Sequence, residues 1–292
     1  MMEHSVFCST GTTVGRANGY NIHLVTESFP ELMERGLISG AELMMLPVYY
    51  DRMKEVAEEW LRAGLRFPVI HCEKEIGTKL SDAGKAFAAG DEDSGRSLYR
   101  YAIDDFRRNC EMAAMAGCEQ MVFHLWGGLT SDSYASYNIS ILPELLDIIR
   151  PYRVRLLIEN VPCTTKDPLS QWQALAGHLG ACGLIFDTRF GFFHRQTRDI
   201  WNDEAIVPHI EHIHISDIRG EARDFSALRP IYHPGEGMVD FRGVADCLKM
   251  AGYRGTFTLE SPVIRSDGAD IPKLAESLQF LHRMIRGIRR DA

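Results

Sequence analysis

Three short runs decide the fold: Leu156-Leu157-Ile158-Glu159-Asn160, Leu184-Ile185-Phe186-Asp187 and His212-Ile213-His214-Ile215-Ser216-Asp217. Each is apolar and rich in branched side chains, and each closes on a side chain able to hold a metal. Continuous apolar runs of four to eight residues, set between longer segments of helical period, read as parallel strands buried on both faces. Working outward, the pattern recurs in Val69-Ile70-His71, Met121-Val122-Phe123-His124 and Phe257-Thr258-Leu259-Glu260-Ser261. With two further runs near the start, the expected strands are 5–9, 41–46, 67–71, 120–124, 155–159, 183–187, 212–216 and 256–260.

Helical periodicity falls between them, at 50–63, 98–116, 139–150, 171–179, 239–251 and 271–286. The first of these places Met53, Val56, Ala57, Trp60 and Leu61 on one face. A length of 292 residues alone suggests about two domains, but eight strands at about 36 residues per repeat fit one closed unit. The expected class is therefore α/β, a (β/α)8 TIM barrel in a single domain over residues 1–292. No linker rich in Pro, Gly or Ser divides the chain. The longest stretches read as irregular, 11–21, 73–92, 126–135 and 219–237, all follow strands, at the face where such barrels carry their chemistry. The competing reading is an open doubly wound sheet. It needs a glycine-rich phosphate loop after the first strand, and the segment from Ser9 to Gly15 matches that pattern only loosely.

Composition narrows the function classes. With 32 Lys and Arg against 40 Asp and Glu, the formal net charge is −8, which argues against a surface built to grip nucleic acid. The opening residues MMEHSVFCST lack a basic segment followed by an apolar one, and no apolar run reaches membrane-spanning length. The seven cysteines are scattered, odd in number and free of any C-x-x-C pair, so buried thiols in a reducing, cytoplasmic protein are expected.

The strand ends carry the chemistry. Closing the strands side by side would bring His71, His124, Glu159, Asp187, His214, Asp217 and Glu260 to one rim. One histidine or carboxylate at a strand end is ordinarily a hydrogen-bonding or capping group. Several carboxylates converging at a partly buried rim repel one another, at about 1.4 kcal/mol per unit of pKa, unless a cation offsets them. Mixed imidazole and carboxylate ligands suit Zn²⁺, Mn²⁺, Co²⁺ or Fe²⁺ better than the oxygen cages of Mg²⁺ or Ca²⁺. Glu159, Asp187, His214 and Glu260 form the expected metal set, and His71 and His124 are left as ligands of a second metal or as substrate groups. His212 shares the face of His214 one layer deeper and is expected to pack or support it.

The order and spacing of FHLWGG, IEN, FDT, HIHISD, HPGEGMVDF and GYRGTFTLE resemble the xylose isomerase-like TIM barrels, a group of sugar and sugar-phosphate isomerases and epimerases that also includes endonuclease IV. The resemblance covers nearly the whole chain. It implies one divalent metal, Mn²⁺ or Zn²⁺ before Co²⁺ or Mg²⁺, on Glu159, Asp187, His214 and Glu260. It also implies that Glu159 and Glu260 are the catalytic pair, exchanging protons with opposite sides of a sugar or polyol through an enediolate. A keto-polyol dehydratase would use the same set.

The endonuclease IV branch, hydrolysing phosphodiesters, is the alternative, with His71 and His124 matching two of its further ligands. That branch carries a histidine three residues after the aspartate, where this chain has Phe190, and an Asp-x-His pair that residues 224–233 lack. A third alternative, a barrel that binds a sugar-like ligand without catalysis, sits poorly with retention of both Glu159 and Glu260.

Four more residues are candidate substrate contacts. His194 lies in a loop with Arg189, Arg195 and Arg198, and reads either as solvated or as a contact for a hydroxyl or phosphate. Arg219 and His233 lie in the loop before the GEG turn, where Glu236 is expected to tie the turn together. Trp126, before Gly127 and Gly128, reads equally as a sugar-stacking platform or as packing over the rim. The expected partner is a small sugar or polyol, with no nucleic acid and no membrane; homo-oligomerisation is left open.

Overall fold

A computed structural model of the chain describes residues 5–127 and 131–289. Eight parallel strands close into a barrel in chain order: β1 (Val6–Ser9), β2 (Gly40–Met44), β3 (Val69–His71), β4 (Gln120–Phe123), β5 (Arg155–Glu159), β6 (Gly183–Asp187), β7 (Ile210–Ile215) and β8 (Thr256–Leu259). β8 pairs back onto β1, with Phe257 against Val6 and Leu259 against Cys8.

The helices are α1 (His23–Glu34), α2 (Met53–Arg62), α3 (Glu75–Ala88), α4 (Glu92–Ala116), α5 (Ala135–Ile149), α6 (Pro168–Gln173), α7 (Thr188–Phe193), α8 (Thr197–Asn202), α9 (Phe241–Met250) and α10 (Ile271–Arg289). A two-residue antiparallel pair, β9 (Ile264–Arg265) and β10 (Gly268–Ala269), precedes α10. Among the described residues, no helix is long and apolar enough to cross a membrane.

Strand parity sorts the core into two parts. Ile70, Met121, Phe123, Leu156, Ile158, Leu184, Phe186, Ile213, Ile215, Phe257 and Leu259 belong to the large cluster that packs against the helices. Phe7, Val69, Val122, Leu157 and Ile185, of the opposite parity, form a separate apolar cluster inside the barrel. Two residues further along each strand, the same inward face presents Ser9, His71, His124, Glu159 and Asp187. The barrel interior is thus an apolar floor under a polar rim. β7 takes up one extra residue, the register slipping between Leu184 and Ile185 so that Ile185 faces His212. The extra residue, Glu211, turns outward and accepts from Arg155 at 2.7 and 3.0 Å.

All eight expected strands are present, but the helices need correction. The stretch 73–92, read as irregular, contains the fourteen-residue helix α3. Its glycines lower helix propensity and mimic a loop in sequence, yet they are packing positions. A Cβ on Gly77 would lie 2.0 Å from the backbone oxygen of His124, so only glycine lets α3 sit against the end of β4. α1, α7 and α8 were not expected, and the segment read as 171–179 is helical only as far as Gln173. All seven cysteines are free and buried, as expected of small apolar side chains. Gly128 of the β4 loop lies outside the described residues.

Candidate metal centre

The inward parity of β5, β6, β7 and β8 brings Glu159, Asp187, His214 and Glu260 together, each offering a ligand atom within 4.8 Å of the others. His214 stands in the middle. Its Nδ1 lies 3.0 Å from Glu159 Oε1 and 3.3 Å from Glu260 Oε2. On the Glu159 side, His71 Nε2 is 3.6 Å from Oε2, and His124 Nε2 is in close contact with the same oxygen. The His71 ring stacks on His214 with centroids 5.6 Å apart and planes at 18°. His71, Glu159 and His214 also form a three-member ligand set of their own.

Backbone clasps hold these strand ends. Asn160, the residue after Glu159, accepts from Asp187 N–H at 2.6 Å and donates to the Asp187 carbonyl at 3.2 Å. Thr188 does the same for the next pair of strands, donating to the Ser216 carbonyl at 2.7 Å. Asp187 Oδ1 caps α7 by accepting from Phe190 N–H at 2.9 Å, which fixes the carboxylate and leaves Oδ2 without a partner.

The fit to a cation can be judged from what the site leaves unsatisfied. His71 Nε2, His124 Nε2, Glu159 Oε2, Asp187 Oδ2 and Glu260 Oε1 are all buried without a partner in hydrogen-bond geometry. Buried polar atoms are nearly always paired, so five unpaired ones at one rim mark a place built for a group that accepts their lone pairs. His71 Nδ1 faces the Cys72 carbonyl at 2.8 Å and must donate to it. Its Nε2 points at the Glu159 carboxylate, 3.6 Å from Oε2. The residues present fit a divalent metal.

The charges agree. Burial pushes the Asp187 carboxyl up to about 6, Arg189 opposes this, and the nearby Glu159 and Glu260 add to it. Burial also works against ionised Glu159, but His124 and His214 outweigh it and hold the carboxyl well below its usual range. For His214 burial disfavours the charged ring, yet Glu260, Glu42 and Glu159 raise it well above an ordinary histidine. Burial lowers His124 to about 4, against the pull of Glu159. In the metal-free site the His214 imidazolium thus sits among carboxylates, a weak substitute for an ion of charge two.

Glu42, which the sequence reading missed, lies on β2 in register with Ser9 and Val69 and is completely buried. Its Oε2 is 2.9 Å from His214 Nε2 and 3.4 Å from His212 Nε2. His212 has the supporting place expected of it, with Nδ1 2.5 Å from Thr256 Oγ1 and Nε2 2.8 Å from Thr258 Oγ1.

The remaining expectations divide. Asp217, grouped with the rim ligands in sequence, instead accepts from the N–H groups of Gly235, Gly237 and Val239 at 2.8–3.0 Å and anchors the GEG turn. Gly237 is required there, since a Cβ would lie 2.3 Å from Asp217 Oδ1. Glu236, expected to tie the turn together, instead bonds Lys273 of α10 at 2.5 Å, and Asp217 holds the turn. Arg219 donates from Nε to the Glu236 carbonyl at 2.7 Å and lies over the Tyr232 ring. His233 Nδ1 is 2.7 Å from Ser277 Oγ.

His194 is not solvated. Its Nε2 accepts from Cys163 N–H at 3.0 Å, its Nδ1 is buried without a partner, and burial, helped by Arg223, lowers it to about 4. Trp126 is fully buried in the helix-side cluster, the packing place set beside sugar stacking in the sequence reading. Glu73 accepts from Glu75 N–H at 2.9 Å at the start of α3.

The chain is similar to known proteins in stretches of sequence and in fold. An inosose dehydratase from Yersinia enterocolitica is 30% identical over 91 residues, 27% of this chain and 30% of its own. One from Serratia proteamaculans is 27% identical over 122 residues, 37% of this chain and 39% of its own. The matched stretches thus span only about a third of those relatives.

Among solved structures, an L-ribulose 3-epimerase superposes with a TM-score of 0.68 at 14% identity, over 99% of this chain and 96% of its own. The IolI protein with a bound zinc atom gives 0.64 at 17% identity, over 97% of both chains. Identities this low establish the shared fold. Residues 35–284 match the family model of the xylose isomerase-like TIM barrels, most of the chain and all but the first barrel strand, and the protein belongs to that family.

Proposed function

We propose that the protein is a divalent-metal-dependent enzyme that moves a proton next to the carbonyl of a small sugar, sugar phosphate or polyol, as an isomerase or epimerase. The observation that carries this reading is the set Glu159, Asp187, His214 and Glu260, buried at the barrel rim with ligand atoms within 4.8 Å of one another and an unpaired oxygen on each carboxylate. A metal held there, Mn²⁺ or Zn²⁺ by the mixed donor set, would polarise a substrate carbonyl and its neighbouring hydroxyl so that the adjacent C–H becomes acidic.

The chain's own residues do the rest. Glu159 and Glu260 stand on β5 and β8 with β6 and β7 between them, so a substrate between them meets one carboxylate on each side. One takes the C–H proton, leaving an enediolate, and the same or the opposite carboxylate returns a proton to carbon. His71 Nε2 and His124 Nε2 face the Glu159 side and fit substrate oxygens, with one metal on the four-residue set. Among the outer candidates, His194 offers an unpaired Nδ1, while Arg219 and His233 are engaged within the GEG loop.

The second reading is a dehydratase, favoured by the two relatives named as inosose dehydratases. It needs the same proton abstraction, followed by loss of a hydroxide from the next carbon, protonated as it leaves. The phosphodiester-hydrolase alternative is less well supported, because Phe190 stands three residues after Asp187 and offers no ligand.

Ketoses, keto-polyols and their phosphates, incubated in D₂O with Mn²⁺, test the proposal by mass and proton NMR. Deuterium entering next to the carbonyl with conversion to an epimer or isomer is expected. An unsaturated product would select the dehydratase. Nicking of an abasic-site duplex with no exchange into any sugar would overturn both.

A further inference from the structure

Glu42 is the feature of the interior that the proposed reaction does not use. It is a completely buried carboxylate on β2, in register with Val69 of the inward-facing apolar cluster. Taking a charge out of water costs several kcal/mol, and hydrogen-bonding partners must offset it. The partners here are imidazole nitrogens, His214 Nε2 at 2.9 Å and His212 Nε2 at 3.4 Å. The other oxygen, Oε1, is buried with no partner, so the contact with His214 is the shortest polar contact Glu42 makes.

His214 therefore has two distinct sides. Nδ1 faces the carboxylates of Glu159 and Glu260, and Nε2 faces Glu42 from below. An ionised carboxylate only accepts, so the bond to Glu42 assigns a proton to Nε2. A neutral imidazole with its proton on Nε2 must present a lone pair on Nδ1. The ring cannot swing to offer Nε2 instead without giving up the shortest contact of Glu42 and leaving it only His212 at 3.4 Å, and the stacked His71 ring at 18° restrains it from the side.

Resting on the metal reading above, we propose that Glu42 is a positioning residue that fixes His214 as an Nδ1 ligand through the Glu42 Oε2···Nε2 bond. His212, held by Thr256 and Thr258, approaches the same Oε2 at 3.4 Å. A carboxylate behind a metal-ligating histidine orients the ring and raises its basicity, and removing such a partner typically lowers metal affinity about 10–100-fold. The polar contacts of Glu42 are with His214 and His212, so in this proposal its effect passes through His214.

The test uses Zn²⁺ as the probe, with calorimetric titration of the chelated protein and long-range proton–nitrogen NMR of the histidine rings. In the zinc-loaded wild type, His214 is expected to show a proton on Nε2 and a zinc-shifted Nδ1. A zinc-shifted Nε2 overturns the proposal without any variant. Glu42→Leu, which removes the acceptor, should bind zinc about 10–100-fold more weakly and lose the single-tautomer pattern of His214. Glu42→Gln, whose amide oxygen still accepts, should keep that pattern and lose less affinity. A merely structural role for Glu42 would leave the tautomer unchanged in every folded variant.

If Glu42→Leu does not fold, the wild-type spectrum and Glu42→Gln still decide. Asp187→Asn separates the two layers of the inference. Zinc binding that is absent in wild type, or unchanged in Asp187→Asn, defeats the metal reading itself. Zinc binding lost in Asp187→Asn, but within about twofold of wild type in Glu42→Leu with an unchanged His214 tautomer, defeats the role of Glu42 alone.

Discussion

Asp187→Asn in the metal-free protein should raise stability, although it removes a proposed ligand. The wild-type carboxyl is fully buried, and its pKa is pushed from 3.8 to about 6, first by burial and then by Glu159 and Glu260 against Arg189. A folded-state pKa above the unfolded value means that ionisation favours the unfolded chain. The penalty is absent below the unfolded pKa, grows as pH rises, and is complete above about 6. A shift of about two units is worth about 3 kcal/mol at pH 8. Asparagine keeps the cap on Phe190 N–H through Oδ1 and places an N–H₂ where Oδ2 has no partner.

For 292 residues the unfolding entropy is about 0.6 kcal/mol/K, so the midpoint of the chelated variant should rise ~5 °C at pH 8. The gain should fall below about 1 kcal/mol near pH 4. The assay is thermal unfolding followed by circular dichroism, with chelator and then with Mn²⁺ or Zn²⁺. Added metal should stabilise wild type much more than the variant. A chelated variant that is less stable than wild type at pH 8, or a gain that does not shrink toward pH 4, would refute the electrostatic account of the site.

Three other outcomes follow from the same geometry. Glu260→Gln should still bind metal and substrate but lose at least about 100-fold in proton exchange at carbon, measured by deuterium washout; full turnover would remove Glu260 from the chemistry. Because Glu260, Glu42 and Glu159, against burial, raise His214 well above its ordinary value, the metal-free ring is protonated at neutral pH and an ion must displace that proton. Calorimetry in buffers of differing ionisation heat should therefore find about one proton released per ion near pH 7.5, with affinity rising as pH rises; no release would contradict this protonation state. Asn160→Ala strips the partners from both backbone groups of Asp187 and should cost about 1–3 kcal/mol, a lower melting midpoint by ~2–5 °C.

The strands were legible because burial on both faces makes them apolar throughout, and a polar side chain at the rim then marks where each ends. That signal located Glu159, Asp187, His214 and Glu260, which no local motif unites. Helix α3 was obscured because Gly77 serves a close approach to His124 that exists only after folding. Asp217 has the same strand-end signature as a ligand, and what distinguishes it is a turn contributed some twenty residues later.

Glu42 was missed because it lies within the run Ala41-Glu42-Leu43-Met44 rather than at its end. A sharper signal was present: a carboxylate inside a strand buried on both faces must face a partner across the barrel. Its separation from His214, 172 residues along the chain, is why only the closed barrel shows which partner it takes.

The most direct test of the central claim is solvent deuterium exchange into a keto-sugar or keto-polyol substrate, measured on wild-type protein stripped with a chelator and titrated with Mn²⁺. The account predicts no exchange in the stripped protein, recovery that saturates at about one ion per chain, and no recovery in Glu159→Gln or Glu260→Gln. Undiminished exchange in the stripped protein, or equal recovery in those variants, would contradict it.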